Sequence, residues 1–319
     1  MLEAVLQRRL VFVTGKGGVG KTAVALALAL AAARAQRRVL LVEVNPLGRV
    51  GEYLDGWSLT PEPAEVAPNL AVAAIAPDVI MEEFAVGILR IRALARRLLE
   101  SQTFQVVAAA TPGIEEFLTL LRIASWENER TGLVRQRHRF DLVVVDAPAT
   151  GHSVPLLATP NALMEMLPFG PLAGSARELA LLLSDSARVA AAVVTRAEEM
   201  AVNETLELAS ALRHVGIATL RPIVNAVSRM RFSREETRRL MAEPPDVPAA
   251  LAPLVAAGRY SLARQRAAER QIRRLGRGVG TRPLALPYVS TRPFGRAAVE
   301  ELATGLARLT PSRRMRQAS

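Results

Sequence analysis

Eight residues, Gly15 to Thr22 (GKGGVGKT), constrain this chain more than any other stretch. They fit the pattern G-x-x-x-x-G-K-[ST] in the setting that gives it meaning. An apolar, β-rich run (LVFVT) precedes them and a helical run (TAVALALALAAARAQ) follows. A glycine-rich turn between strand and helix lets successive backbone N–H groups point inward at an anion. The helix opening near Lys21 adds the positive end of its dipole. The pattern therefore assigns nucleotide phosphates to Gly15, Gly17, Gly18, Val19, Gly20, Lys21, Thr22 and Ala23, with the Lys21 ammonium on the β- and γ-phosphates. The Thr22 hydroxyl is placed on Mg²⁺.

Lys16 and Lys21 are the only lysines of the chain; every other one of its 41 basic Lys and Arg residues is arginine. A compact ammonium fits inside a phosphate loop where a planar guanidinium fork does not. Lys16 stands too early in the loop to fold back onto the same γ-phosphate. Its retention points to a second phosphate contact, most simply on the nucleotide of a neighbouring subunit.

The rest of the chain repeats an α/β rhythm. Strands are expected at 10–14, 39–44, 70–75, 104–109, 142–146, 189–195, 223–227 and 284–287. Helices are expected at 22–36, 77–99, 114–128, 197–214 and 294–309. Continuous apolar runs separated by helices imply class α/β, a mostly parallel sheet covered by helices on both faces with extra helices beside it, and the phosphate-loop motif makes this a P-loop NTPase fold. Residues 1–310 read as a single P-loop ATPase domain with helical elaborations at about 77–128 and 160–188. Residues 311–319 read as a basic, disordered tail. With 319 residues, half of them apolar, the chain can bury a sizeable core.

There are no cysteines, which excludes disulfides, a zinc–thiolate site and a cysteine-ligated iron–sulfur cluster. The longest apolar run, Ala23 to Ala33, is far short of the roughly 20 residues that span a bilayer. No leader pattern precedes the first strand, and a cytoplasmic location is expected. The formal charge of +11 reads as an arginine-biased composition on a solvated surface, with nucleic acid unlikely as a partner.

Two further residues carry a physical reading of their own. Asp146 ends the apolar strand LVVVD, where a carboxylate can hold a Mg²⁺-bound water. Glu43, near the end of VLLVEV, either joins the Mg²⁺ shell, substitutes as a base, or is a strand-end charge.

KGGVGK resembles the "deviant" Walker A motif of the ATPases that include MinD, ParA, the nitrogenase iron protein and the ArsA family. FDLVVVDAPATGHSVPLL (residues 140–157) is similar to switch II of the ArsA / guided-entry ATPases. TPGIEEFLTL (111–120), RPIVNAV (221–227) and LPYVSTRPFG (286–295) resemble further segments of that family, in the same order. The resemblance implies a Mg²⁺-dependent ATPase in which ATP closes a dimer and Lys16 reaches the partner's nucleotide. It also implies that Asn225 reads adenine and that the segment holding Pro287 and Tyr288 closes over the base. Pro148, Thr150, Gly151 and His152 would form switch II, with His152 sensing the γ-phosphate or the partner rather than a metal.

The chain also departs from the family. Where the family places a switch I Asp that activates water, this chain has Asn45. Asn can orient a water but cannot take its proton. Tight ATP·Mg²⁺ binding with slow turnover is therefore expected, or else a non-hydrolysing regulatory subunit. The family's zinc clamp and three-cysteine arsenite site cannot exist here. A single phosphate loop implies that two chains meet, as a homodimer or as a heterodimer with a homologous ATPase. A ParA/MinD-like positioning role is a further alternative. The protein client or membrane partner is not specified by these residues. The methionines of LMEMLPFGPL (163–172) read as core rather than as a client groove. The arginine-rich run 258–278 reads as a solvated or interface helix, and Glu204 is a candidate switch or interface residue.

Overall fold

The structure, a computed structural model, describes residues 1–44, 48–89, 101, 113–132, 136–148, 150–166, 169–228, 232–242, 248–291 and 293–308. Asn45, the expected strand at 104–109 and the tail at 311–319 lie outside the described residues.

Strands β1 (Leu10–Thr14), β2 (Val39–Val44), β3 (Ala64–Ala67), β4 (Leu70–Ile75), β7 (Leu142–Asp146), β8 (Val189–Arg196), β9 (Ile223–Val227) and β10 (Leu284–Pro287) form one sheet in the order β10-β9-β8-β1-β7-β2-β4-β3. Two short strands, β5 (Arg130–Thr131) and β6 (Arg137–His138), pair apart from it. β1, β2 and β7 are buried along their whole length. Their sequences show no alternation because neither face meets water. The described pairings in the main sheet are parallel except that of β3 with β4. This is the expected fold class, with an antiparallel edge strand that its four residues do not announce.

Each face of the sheet has its own core. On one side, Val11, Val13, Leu41 and Val144 pack against α2 (Lys21–Arg34) and α11 (Arg296–Arg308). The short helices α1 (Leu2–Leu6) and α3 (Arg49–Tyr53) border this layer. In α2, every residue from Ala23 to Ala33 is buried, so the helix has no polar face. Alanine at alternate positions lets it lie close to both the sheet and α11.

On the other side, Phe12, Val42, Val145 and Ala191 meet α4 (Pro77–Leu89), α5 (Ile114–Asn128), α6 (Thr150–Met166), α7 (Pro171–Ser184) and α8 (Glu199–His214). Phe117, Leu156, Leu179 and Leu212 are their buried contacts. The described helices of the two expected helical stretches pack on this face of the sheet, and α6 starts well before residue 160. Two prolines, Pro155 and Pro160, stand inside α6. There the Thr159 hydroxyl donates to the Pro155 carbonyl at 2.8 Å. Met164 packs partly buried against this core, whereas Met166 and Phe169 are exposed.

At the β9 end, α9 (Arg234–Met241) is opened by a capping box between Ser233 and Glu236. The long α10 (Ala252–Val279) packs on Val202 and Val224 through Leu275.

Candidate nucleotide site

The loop between β1 and α2 takes a shape that only glycine permits at two points. Gly15 has φ +149°, and a Cβ there would lie 2.0 Å from the Val194 carbonyl oxygen of β8. Gly20 has φ +90°, and a Cβ would lie 2.4 Å from the Asn225 amide nitrogen. Gly20 supplies no side-chain cap to α2. The first-turn N–H groups of the helix therefore remain available to an anion.

Behind the loop, Lys21 donates its Nζ to the Lys16 carbonyl at 3.3 Å, curling over its own turn. Burial lowers its pKa, against an opposing pull from Asp146; Arg49 adds to the lowering. Asp146 faces Glu43 of β2 and Val13 of β1 in register. Burial pushes the Asp146 carboxyl up to about 6, opposed by a hydrogen bond from Thr22 and by the charges of Lys21 and Arg49. Its Oδ1 is buried with no hydrogen-bond partner among the described residues. A carboxylate oxygen in that condition, beside a threonine hydroxyl and facing a glycine-rich turn, is a fitting donor set for a hydrated Mg²⁺. Glu43 is buried as well.

These groups line a cleft of about 550 Å³, a volume suited to a small-molecule ligand. Gly17, Gly18, Val19, Gly20, Lys21, Thr22, Ala23, Glu43, Asp146, Pro148 and Asn225 all face it. Residues that carry no site motif of their own join them, among them Arg49, Tyr53, Arg196 and Phe294. Tyr53 and Phe294 meet edge to face at 5.5 Å. Phe294 belongs to the LPYVSTRPFG segment, which could have pointed to it. Arg49 and Tyr53 lie just beyond the undescribed residues that follow β2 and carry no motif.

Asn225 uses both ends of its side-chain amide. Its Nδ2 donates to the Val19 carbonyl at 2.9 Å, and its Oδ1 accepts from the Ala226 N–H at 2.9 Å. It thereby ties the phosphate loop to β9 across the cleft, and Ala226 takes an unusual φ of +55°. Pro287 ends β10, Tyr288 follows it, and neither is among the cleft residues; Tyr288 is exposed and its N–H donates to the Val227 carbonyl. Thr150, Gly151 and His152 form the first turn of α6. One residue on, the buried Ser153 hydroxyl accepts from Thr14 at the end of β1, at 2.8 Å.

Lys16 turns away from the cleft and donates its ammonium to the Glu204 carboxylate on α8. Among the described residues no group of three or more His, Cys, Asp or Glu is arranged to hold a metal. No helix among them is long and apolar enough to cross a membrane.

Residues 8–174 match the family model described as anion-transporting ATPase, ArsA_ATPase. Arsenical pump-driving ATPases of Acidiphilium multivorum and Escherichia coli are 29% identical over 237 residues, covering 68% of this chain and 39% of each relative. ATPase BagA of Mycobacterium tuberculosis is 26% identical over 225 residues, covering 68% of this chain and 64% of its own. The chain spans about two fifths of the length of the pump-driving relatives it matches. The family match covers more than half of the chain and contains the phosphate loop, β2 and the Asp146 strand, and on that ground the chain belongs to the ArsA ATPase family.

Proposed function

We propose that this protein binds ATP·Mg²⁺ in the cleft between the phosphate loop and Asn225, hydrolyses it slowly, and uses ATP to bring two subunits together. The observation that carries the reading is the orphaned, buried Asp146 Oδ1 set against Thr22 and Lys21 at the mouth of a glycine-rich turn. Loop N–H groups and the start of α2 would receive the phosphates, and Lys21 would exchange its bond to the Lys16 carbonyl for a phosphate oxygen. Thr22 and, through water, Asp146 would hold Mg²⁺, with Glu43 beside them. The ion would neutralise charge on the phosphates during transfer.

Lys16 would leave Glu204 to meet the nucleotide of a second subunit, either an identical chain or a homologous ATPase. Asn45 would orient the attacking water without deprotonating it, which is why turnover would be slow. That residue also supports a second reading, in which the chain is a non-hydrolysing subunit that regulates a partner. Pump-driving relatives act on arsenicals by name, but a thiolate site for arsenite is ruled out by the absence of cysteine.

The test is titration with a fluorescent ATP analogue with and without Mg²⁺, alongside phosphate release. Mg²⁺-dependent binding that Lys21→Ala weakens by 10-fold or more is the expected result. Binding that ignores both Mg²⁺ and Lys21 would overturn the reading. Binding with no measurable turnover selects the regulatory subunit.

A further inference from the structure

The other end of the sheet holds a groove of about 1470 Å³ between the last turns of α10 and the entry to β10. Arg270, Arg273, Arg274 and Arg277 line it from the helix, and Arg221 and Arg282 line it from the segments leading into β9 and β10. The helical set follows an i, i+3, i+4, i+7 spacing, which puts all four on one face.

Two glycines set the closeness of this arrangement. A Cβ on Gly276 would come within 3.1 Å of the Pro283 ring, so the helix lies directly against the strand entry. Gly280, at φ +70°, ends the helix and turns the chain back toward Arg282. Arg221 donates its Nε to the Arg282 carbonyl at 2.8 Å, which joins the two strand entries and leaves the rest of its guanidinium to the groove.

Against six arginines the lining offers one carboxylate, Glu269, whose ion pair with Arg273 is a loose 3.7 Å contact at the surface. Arginines near a helix C-terminus complement its dipole, but that does not account for Arg221 and Arg282, which come from other elements. Six guanidinium groups held together repel one another, and a convergent set is suited to bidentate capture of carboxylates.

We propose that this groove docks an acidic, extended segment of a partner protein. It is larger than a typical small-molecule site. Among the described residues no aromatic side chain lines it for stacking on bases. Its larger apolar members, among them Ile272 and Leu284, are half-buried or buried, and the exposed Ala285 is too small to enter a lipid surface. The nucleotide loop follows the C-terminal end of β1, whereas this groove adjoins the N-terminal ends of β9 and β10. A partner held here would leave the nucleotide cleft open.

The experiment is fluorescence anisotropy of a labelled 12-residue glutamate-rich peptide with the intact chain, at low and at physiological salt. Three variants are compared: Arg270→Glu/Arg277→Glu, Arg221→Glu, and Arg264→Glu on α10 outside the groove. The proposal expects saturable binding that weakens 10-fold or more in the double variant and severalfold in Arg221→Glu, with Arg264→Glu unchanged. Far-ultraviolet circular dichroism of each variant checks that the fold is retained. Should the double variant lose its fold, Arg221→Glu and Arg282→Gln carry the comparison. An equal loss in all variants would mean unspecific charge attraction and would overturn the proposal. So would stronger binding of a 20-base-pair duplex DNA or of phosphatidylserine vesicles than of the peptide.

Discussion

Lys16 is ion-paired to Glu204, 188 residues further along the chain, with each side chain about one third exposed. The lysine proposed to reach a partner's phosphate is thus held by a carboxylate of its own subunit. A partly exposed pair of this kind contributes less than about 1 kcal/mol, so it biases Lys16 without locking it. Glu204→Gln should lower the protein concentration needed for ATP-dependent dimerisation by a few-fold, while Lys16→Ala should abolish dimerisation. Sedimentation velocity with a non-hydrolysable ATP analogue measures both, and dimerisation that survives Lys16→Ala would refute the assignment.

Asp146 gives the nucleotide-free protein a pH signature. Its carboxyl is raised from 3.8 to about 6 by burial. The stability linked to its neutral form is whole below pH 4 and is lost as pH rises through 6, where the fold must bury a charge. Without Mg²⁺ and nucleotide, Asp146→Asn should therefore flatten the fall in melting temperature between pH 5 and 7. At pH 7.5 its gain should be on the order of 2–3 kcal/mol. Parallel melting-temperature curves for the two proteins would count against this account. Binding of ATP·Mg²⁺ should be lost in the same variant.

Asn45→Asp should supply a general base at the position proposed to orient the attacking water. A rise in turnover of roughly 10²-fold is expected, at the low end of what such a group supplies. Phosphate release under saturating ATP measures it. Brisk hydrolysis by the unmodified protein, with no gain in the variant, would show that Asn45 does not limit the reaction.

Asn225 and Gly20 should be coupled. Asn225→Ala removes the donor to the Val19 carbonyl, an unmade bond costing about 1–3 kcal/mol, and should weaken nucleotide binding about 10-fold. Gly20→Ala should be worse, because its Cβ meets the Asn225 amide and its φ of +90° is left-handed. Adding Asn225→Ala to Gly20→Ala should not rescue binding, since the backbone strain stays. Full rescue would mean that the clash alone matters.

Glu127 belongs to stability rather than to the nucleotide site. Its side chain is fully buried between Arg9 and Arg188, each at 2.6 Å. Glu127→Gln should cost about 1–3 kcal/mol in urea unfolding with nucleotide affinity unchanged. A fall in affinity without a fall in stability would contradict this role.

Strands buried on both faces were legible because their apolar runs are continuous: β1, β2, β4 and β7 fall within the expected bounds, and α5 matches residue for residue. The phosphate loop was legible because its glycines perform local work. β3 was not, since a four-residue edge strand takes its hydrogen bonds from β4 rather than from any pattern of its own. Arg49 and Tyr53 reach the cleft through tertiary placement that no spacing encodes. Ser233 with Glu236 was a readable capping signal that the α/β rhythm passed over. Asn225 was found by resemblance, yet its bond to the phosphate loop depends on β9 lying across the cleft from α2.

Helix α2 is enclosed on every side from Ala23 to Ala33. Sliding or rotating a rod packed that way would open the core, which disfavours movement of α2 itself. For the ATP-driven movement proposed above, the described neighbours tied to the cleft are α6, joined to β1 through Ser153 and Thr14, and α8, joined to the loop through Glu204. The two helices lie on the same face of the sheet. A force generated at the nucleotide would therefore be delivered to that face, leaving the α2 side at rest.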